Sequence, residues 1–481
     1  MSEKLLLRTT PAEVGVEESA IIKMLDGFKE KQLGVHGIML LRHGKVFAEG
    51  YYAPYRSDLT HMMYSLSKPF TSTAIGFAIE EGLITLDDRL VDFFPEKLDG
   101  RPCENMEKIT VRHLLTMNSG HKYEPDFVRD APDWAEVFLK TYVDFEPGTK
   151  FTYNTFGTYM LSAVINRVTG MPVEEYLKPR LLDPLGIEDY RFEKCPAGIS
   201  TGGYGFNLKL ESVAKFGQFC LNRGMWEGRQ LISSDWIDAA TSKQVPTPPA
   251  TPDWDKGYGY QFWRCAPEGS YRGDGACGQF IIVLPKEDMV IAMFEGLGDM
   301  QEPLDVLWET ILPGLHDSTI PENSEMLAEM NSRLCSLSVR LPEGAPDSPL
   351  ASKYSGINYK ISENASKITE MQFDLSTDNK SVRIMIDGHD VRIPLRYGCF
   401  AETETGIKAE ECNSYTTLIY ERCAGSMAWK DDNTLSLCIS CTTTPFTDDV
   451  TVKFDESGII VSWNRRISMG IADFTVFGRT E

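Results

Sequence analysis

The segment "MMYSLSKPF", residues 62–70, holds a serine and a lysine three positions apart, Ser65 and Lys68. A serine hydroxyl becomes an effective nucleophile only when a neighbouring base accepts its proton. A lysine amine can be that base if burial or a nearby cation lowers its pKa well below about 10.4. The pair could therefore support acyl-enzyme chemistry, although a chain of this length contains roughly one or two such spacings from composition alone.

The residues that follow the pair predict where it lies. "PFTSTAIGFAIEEG" has apolar residues at helical spacing, and Gly82 is the expected C-terminal cap. Pro69 is tolerated only in the first turn of a helix, so Ser65 should lie at the N-terminal end. Residues three apart share a helix face, and the free N–H groups at a helix N-terminus suit a developing oxyanion. This position favours a catalytic pair over a chance spacing.

The periodicity of apolar residues around this helix predicts an α/β (α+β) unit over residues 1–315. A helix is expected over 17–31, followed by two strands that flank a turn at 42–45. Further strands are expected between 257 and 294. Strands at both ends of the unit predict one sheet, with the intervening helices beside it. Those helices are expected over 111–117, 155–169, 209–222 and 302–311.

The remainder of the chain changes character. Residues 316–350 contain a short helical pattern (325–337) and the stretch "LPEGAPDSPL", which together are typical of a linker. Residues 351–481 have a period of two, with a hairpin turn at Asp455 to Gly458. They predict a separate all-β domain, a small barrel or a sandwich.

Composition excludes several functions. The formal charge of −22 argues against nucleic acid or an anionic membrane as a partner and leaves a small-molecule substrate. The first residues, "MSEKLLLRTTPAEVGVEES", match neither a signal peptide nor a membrane span. The eleven cysteines have one C-x-x-C spacing, Cys438 and Cys441, with no second pair nearby. We therefore expect a cytoplasmic protein with no metal and no cofactor. Assembly into a homo-oligomer stays open.

Five blocks, in order over about residues 10–310, resemble the serine β-lactamase and penicillin-binding-protein superfamily. The similarity is to the branch related to class C β-lactamases, esterases and D-aminopeptidases. It implies a β-lactamase/transpeptidase-like domain, with a mixed antiparallel sheet flanked by helices. The C-terminal domain is similar to the lipocalin-like barrels of some members. The blocks are "YSLSKPFTSTAIGFAIEEGLITLDDRLVDFFPE", "ITVRHLLTMNSGH", "PGTKFTYNTFGTYMLSAVINRVTG", "GGYGFNLKLESVAKFGQFCLNRGMWEGRQLI" and "YRGDGACGQFIIVLPKEDMVIAM".

The resemblance implies roles for individual residues. Ser65 matches the nucleophile, Lys68 its base partner, and Tyr153 the tyrosine that shares proton transfer with the lysine in relatives. The backbone N–H groups of Ser65 and Ala276 match the oxyanion hole, so the implied mechanism is an acyl-enzyme hydrolysed by water.

Two motifs depart from the pattern of the family. The usual Tyr-x-Asn is here Tyr153-Asn154-Thr155, which leaves open whether Asn154 or Thr155 faces the substrate. The usual Lys-Thr-Gly or His-x-Gly is Gly273-Asp274-Gly275, which lacks the cation that binds a substrate carboxylate. Arg272 is one residue away and should face the other side of the strand. We therefore expect neutral or amine-bearing esters and amides as substrates rather than β-lactams.

The predicted function is that of a serine hydrolase, an esterase, amidase or aminopeptidase that acts on a small substrate. The alternatives are a β-lactamase or D-alanyl-D-alanine carboxypeptidase, an acyltransferase, and a catalytically silent binding module. "GISTG", residues 198–202, matches the Gly-x-Ser-x-Gly elbow of α/β-hydrolases, but no strand pattern precedes Ser200 and no helix pattern follows it. His121 is expected to be structural.

Overall fold

The computed structural model describes residues 5–98, 100, 102–125, 131–412 and 416–480. Its α-helices are α1 Glu18–Glu30, α2 Lys68–Glu80, α3 Leu90–Phe93, α4 Val111–Leu115, α5 Trp134–Leu139, α6 Thr155–Thr169, α7 Val173–Leu177, α8 Asp183–Leu185, α9 Leu210–Leu221, α10 Ser234–Thr241, α11 Gln301–Thr310, α12 Ser324–Cys335 and α13 Ala351–Tyr354. Within the described part of the chain, no helix is both long enough and apolar enough to cross a bilayer.

The strands fall into a first group, before residue 300, and a second group after residue 350. The first group is β1 Leu7–Arg8, β2 Val35–Arg42, β3 Lys45–Tyr51, β4 His61–Met62, β5 Tyr190–Phe192, β6 Phe206–Leu208, β7 Met225–Trp226, β8 Arg229–Gln230, β9 Trp263–Arg264, β10 Tyr271–Gly275, β11 Gln279–Leu284 and β12 Met289–Glu295. The second is β13 Asn358–Ile361, β14 Ile368–Asp374, β15 Ser381–Ile386, β16 His389–Arg396, β17 Ala401–Glu404, β18 Arg422–Asp431, β19 Thr434–Ser440, β20 Thr447–Phe454, β21 Gly458–Arg465 and β22 Phe474–Thr480.

One mixed sheet joins the two ends of the first unit, in the order β1-β3-β2-β12-β11-β10-β9. Strand β2 pairs antiparallel with β12, which brings the N-terminal hairpin beside the last strands of the unit. All residues of β2, β11 and β12 are buried, because helices cover both faces of the sheet. Ile38 and Leu40 join the core under α1 and α11, while Met39 and Leu41 join the core under α9. The predicted sheet is confirmed.

Helix α2 runs through the larger of these cores. Its residues from Lys68 to Ala78 are all buried, and Phe70 stacks on Phe216 of α9 with ring centroids 4.0 Å apart. A helix that is buried on every side lies inside the protein rather than on its surface. The fold therefore holds Lys68, at the first turn of α2, away from bulk water.

The second group of strands forms a closed barrel. The order is β16-β15-β14-β13-β22-β21-β20-β19-β18, and a short parallel pairing of β16 with β18 closes the circle. Large side chains fill the interior, including Phe373, Trp429 and Phe454. A barrel of this size has an interior that side chains can fill completely. Of the two all-β alternatives, the barrel is the one observed.

Residues 316–350 connect the two units. Helix α12 lies on β3, where a Cβ added to Gly50 would come within 2.7 Å of Leu337 and 2.9 Å of Leu334. Further on, Ala345 forms a β-bridge with Trp429 of the barrel. The connecting segment therefore packs against both units along its course.

Candidate active site

Ser65 lies in a short 3-10 turn, Tyr64–Ser67, that leads directly into α2. Ser67 fixes this turn, because its hydroxyl donates to the carbonyl of Tyr64 (2.7 Å) and accepts from the backbone N–H of Phe206 (3.1 Å). Pro69 occupies the first turn of α2, as its missing N–H requires. The predicted position of Ser65 at the N-terminal end of the helix is therefore observed.

Lys68 is buried beside that serine. Its Nζ lies 2.8 Å from Ser65 Oγ, 2.8 Å from the carbonyl oxygen of Gly203 and 3.3 Å from Thr155 Oγ1. Burial lowers the pKa of Lys68 to about 7, although the negative charges of Glu124 and Asp274 oppose this shift. A large fraction of Lys68 is therefore neutral near pH 7 and can accept a proton from the serine.

Tyr153 completes a group of three around Ser65. Its ring centroid lies 4.7 Å from Lys68 Nζ, and the ring stacks on Trp263 with centroids 5.8 Å apart. Burial raises the pKa of Tyr153, and the charge of Asp274 adds to the rise, while a hydrogen bond with Ser65 opposes it. Tyr153 is therefore a neutral phenol at pH 7, and its hydroxyl can transfer a proton to a group bound at Ser65.

The two residues after Tyr153 have separate surroundings. The Asn154 side chain accepts from Gly157 N (2.8 Å) and so caps the N-terminus of α6. Thr155 Oγ1 contacts Lys68 Nζ instead, and its backbone N–H donates to Glu124 Oε1 (2.5 Å). Thr155, rather than Asn154, therefore faces the lysine.

The glycines of β10 allow this strand to approach the serine turn closely. A Cβ added to Gly275 would lie 2.0 Å from the carbonyl oxygen of Met63, and one added to Gly273 would lie 2.7 Å from Pro69 Cγ. Any side chain at either position would push the strand away. Because Gly275 is in contact with the turn, the adjoining Ala276 is brought to the same end of α2.

The outer edge of β10 is open beside this turn. Strand β9 pairs only with Tyr271 and Arg272. In the described residues, no strand pairs with the outer edge from Gly273 to Gly275. That edge leaves backbone groups free to bind an extended group of a substrate.

Asp274 and Arg272 form a buried ion pair on the face of β10 opposite the two glycines. Arg272 Nε donates to Asp274 Oδ2 (3.0 Å), and its guanidinium lies 4.1 Å from the ring centroid of Trp254. Burial raises the pKa of Asp274, and Arg272 opposes the rise. Asp274 also interacts electrostatically with Lys68 and Tyr153. An acid paired with an arginine therefore lies next to Gly273, which occupies the position of the family's cation.

Two other motifs have structural surroundings. Ser200 is fully buried; its hydroxyl donates to Glu174 Oε2 and accepts from Val173 N (3.1 Å). His121 lies between the hydroxyls of Ser119 and Thr141, each 2.9 Å from a ring nitrogen. Neither residue contacts Ser65 or Lys68 through a hydrogen bond in the described structure.

The sequence reasoning missed two groups at this site, Glu124 and the carbonyl of Gly203. Gly203 follows "GISTG" and is the second residue of the block "GGYGF", so the sequence identified this block but not its contact with Lys68. Glu124 has no spacing signal, because it reaches Thr155 across 31 residues of chain.

Comparison with known proteins places this geometry in context. A family model described as Beta-lactamase matches residues 23–302. The 6-aminohexanoate-dimer hydrolase of Paenarthrobacter ureafaciens is 26% identical over 318 residues, which are 60% of this chain and 80% of that protein. The lovastatin esterase of Penicillium rubens is 29% identical over 164 residues, 29% of this chain and 41% of that protein.

One solved structure matches almost the whole length. The octameric penicillin-binding protein homologue from Pyrococcus abyssi superimposes with a TM-score of 0.51 at 16% identity, covering 96% of this chain and 99% of that one. At this identity the likeness shows a shared fold.

Proposed function

The chain belongs to the β-lactamase family and is a serine hydrolase, and within that family we propose that Ser65, Lys68 and Tyr153 are its catalytic residues. The observation that carries the proposal is the buried Lys68 amine, 2.8 Å from Ser65 Oγ, with a pKa of about 7. A lysine with that pKa is half neutral at pH 7, as a general base requires.

In the proposed reaction, neutral Lys68 takes the proton of Ser65 as Oγ attacks the carbonyl carbon of the substrate. The oxyanion that forms accepts hydrogen bonds from the backbone N–H groups of Ser65 and Ala276. Tyr153 passes a proton to the leaving alcohol or amine, and its own proton is replaced from Lys68. Water then attacks the acyl-enzyme with the same groups as base, which releases the acid and restores Ser65.

We propose neutral or amine-bearing esters and amides as the substrate class. Asp274 and Glu124 bring negative charge to the site, whereas Arg272 is already paired with Asp274. The aromatic rings of Tyr153 and Trp263 offer an apolar wall. A substrate carboxylate, as in a β-lactam or a D-alanyl-D-alanine peptide, would meet like charge with no free cation observed near it in the described residues. The relatives' names, a dimer hydrolase and an esterase, are in line with this class.

The test is labelling of the purified protein with a fluorophosphonate, followed by mass mapping of the adduct. Ser65→Ala should abolish the adduct. Ser72→Ala is the matched control, because Ser72 is a buried serine further along α2 whose hydroxyl makes no hydrogen bond in the described residues. An unlabelled wild-type protein would favour the silent binding module.

The substrate class is tested separately, with wild-type enzyme that the fluorophosphonate has been shown to label. A p-nitrophenyl ester and an amide with a free terminal amine should be hydrolysed, and nitrocefin and benzylpenicillin should react poorly. Efficient hydrolysis of either β-lactam would contradict the proposed class and favour the β-lactamase alternative.

We also propose the domain limits 1–315, 316–350 and 351–481, and a cytoplasmic location. In support of the location, all eleven cysteines are thiols, even Cys423 and Cys441, whose sulfur atoms lie 3.5 Å apart. Close unbonded thiols are usual in a reducing compartment. The octameric homologue shares the fold at 16% identity, and the oligomeric state of this chain is the quantity to measure. Light scattering on the purified protein decides it.

A further inference from the structure

The connection between β19 and β20, residues 441–446, is buried along its whole length. Loops normally run over the surface, where water satisfies their backbone groups. This β19–β20 loop satisfies part of its backbone internally, since Cys441 N donates to the carbonyl of Phe446 (2.9 Å) and Thr444 N to that of Cys441 (2.9 Å). The carbonyls of Thr443, Thr444 and Pro445 lie against the other unit.

The loop binds the segment that leads to Ser65. The backbone N–H of Met62 donates to the carbonyl of Thr443 (2.8 Å), and the hydroxyl of Tyr55 donates to that of Thr444 (3.1 Å). The side chains of Met62 and Tyr64 belong to the same buried cluster as the barrel core. The barrel therefore contacts Met62 and Tyr64, two of the three residues that precede the serine.

Tyr64, directly before Ser65, has a left-handed backbone with φ of 47°. A bulky residue rarely adopts this conformation, which persists only where the surrounding structure enforces it. Here the Tyr64 side chain is buried against the barrel, in one cluster with Tyr420 and Phe446. Packing against the barrel therefore helps to hold Tyr64 in its left-handed conformation, directly before the serine.

The loop also lies against the other half of the proposed oxyanion hole. A Cβ added to Gly296 would come within 2.2 Å of the carbonyl oxygen of Pro445. The next residue, Leu297, donates to the carbonyl of Cys277 (3.2 Å) in the turn that contains Ala276. Cys277 is in the barrel cluster, and Ala276 packs against it.

We propose that the β19–β20 loop is a positioning element for acylation: it sets the two backbone segments, at Ser65 and Ala276, that bind the oxyanion. This inference rests on the proposed function. It gives the barrel a role behind the catalytic serine, on the side away from the substrate.

The first test compares Gly296→Ala with Gly298→Ala in the full-length protein. The added methyl of Gly296→Ala meets the backbone of Pro445, which cannot swing aside, and also the ring of His36 at 3.0 Å. The same change at Gly298 meets only Ile467, at 3.7 Å. Gly296→Ala should lower kcat and the rate of fluorophosphonate labelling about ten- to hundredfold with KM little changed, because oxyanion alignment acts in the transition state. Gly298→Ala should match wild type.

The labelling and hydrolysis rates are measured well below the melting temperature of each variant and are divided by its folded fraction. A loss of stability alone then leaves these rates unchanged. Gly296→Ala protein that is folded and reacts at the wild-type rate would overturn the inference. If that variant does not fold, Tyr55→Phe decides, since it keeps the ring and removes the hydroxyl that donates to the carbonyl of Thr444. It should lower kcat about two- to fivefold, and an unchanged kcat would overturn the inference. Failure of the proposed function is seen separately, as wild-type protein that is not labelled at Ser65.

Discussion

Two buried arginine–aspartate pairs, one in each unit, differ in how the arginine contacts the carboxylate and in how exposed that carboxylate is. In the barrel, Asp448 accepts from Arg465 Nε at Oδ1 (2.9 Å) and from Trp463 Nε1 at Oδ2 (2.8 Å), while Arg465 Nη2 also donates to the carbonyl of Leu418 (2.7 Å). In the first unit, Arg272 contacts Asp274 at one oxygen, Oδ2 (3.0 and 2.9 Å), and its Nη1 donates to the carbonyl of Asp253 (2.6 Å).

The difference separates a structural pair from a pair at a reaction site. The side chains of Arg465 and Asp448 are each 1% exposed, and donors engage both carboxylate oxygens. The carboxylate of Asp274 is 7% exposed, and its charge acts on Lys68 and Tyr153. Changes at the barrel pair should therefore alter stability, whereas changes around Asp274 should alter chemistry.

The largest expected effect comes from Lys68→Met, which removes the proposed base and should lower kcat about 10³-fold or more. Lys215→Met is the matched control, because Lys215 is also fully buried in this unit but donates to the carbonyl of Gly186 (3.3 Å). Steady-state hydrolysis of a p-nitrophenyl ester measures both. A comparable loss of kcat per folded molecule in the control would remove the distinction between the two lysines.

The barrel pair is tested by Asp448→Ala, which leaves Arg465 buried without its carboxylate. Loss of one partner of a buried pair costs about 3–5 kcal/mol. Urea unfolding should show this decrease in the free energy of unfolding, while the pH dependence of labelling at Ser65 stays that of wild type. A variant as stable as wild type would show that the barrel pair contributes little.

The pair beside the serine is tested by Asp274→Asn, which keeps the shape and removes the negative charge. The ratio of kcat/KM for an amine-bearing amide to that for its neutral counterpart should fall about tenfold, because an attractive charge is lost. The double variant Arg272→Met, Asp274→Asn separates this effect from that of an unpaired arginine. An unchanged ratio in both variants would mean that Asp274 does not select the substrate.

The smallest expected effect is a shift in pH dependence. Wild-type labelling should fall as the pH drops through about 7, since protonated Lys68 cannot accept the serine proton. Asp274 raises the pKa of Lys68 against the effect of burial, so Asp274→Asn should move this midpoint to lower pH. Labelling rates between pH 5 and 9 measure the shift, and a midpoint that moves upward would contradict it.

The same lysine makes a prediction for stability. Because burial lowers its pKa to about 7 in the folded state, the unfolded chain binds more protons between pH of about 7 and about 10.4. The contribution of Lys68 to the free energy of unfolding should therefore rise with pH across that window and be absent in Lys68→Met. Urea unfolding of both proteins at pH 7 and 9 measures the difference.

Local patterns predicted the elements that carry the site. Apolar spacing gave the helix after Ser65, Gly170 marked the end of α6, and the period of two after residue 350 indicated an all-β unit. These features depend on neighbours within a few positions, which is the range over which helix and strand periodicity acts.

The sequence by itself determined that Ser65 and Lys68 lie within reach of each other, because residues three apart at the start of a helix share one face. It also determined that one sheet is built from strands at both ends of the first unit. Only the tertiary structure decided that Thr155 faces Lys68 while Asn154 caps α6, that Gly203 and Glu124 join the site, and that the barrel lies behind the serine. Thr155 and Gly203 reach Lys68 across 87 and 135 residues of chain. Contacts of that kind follow from packing between elements, which leaves no periodic trace along the chain.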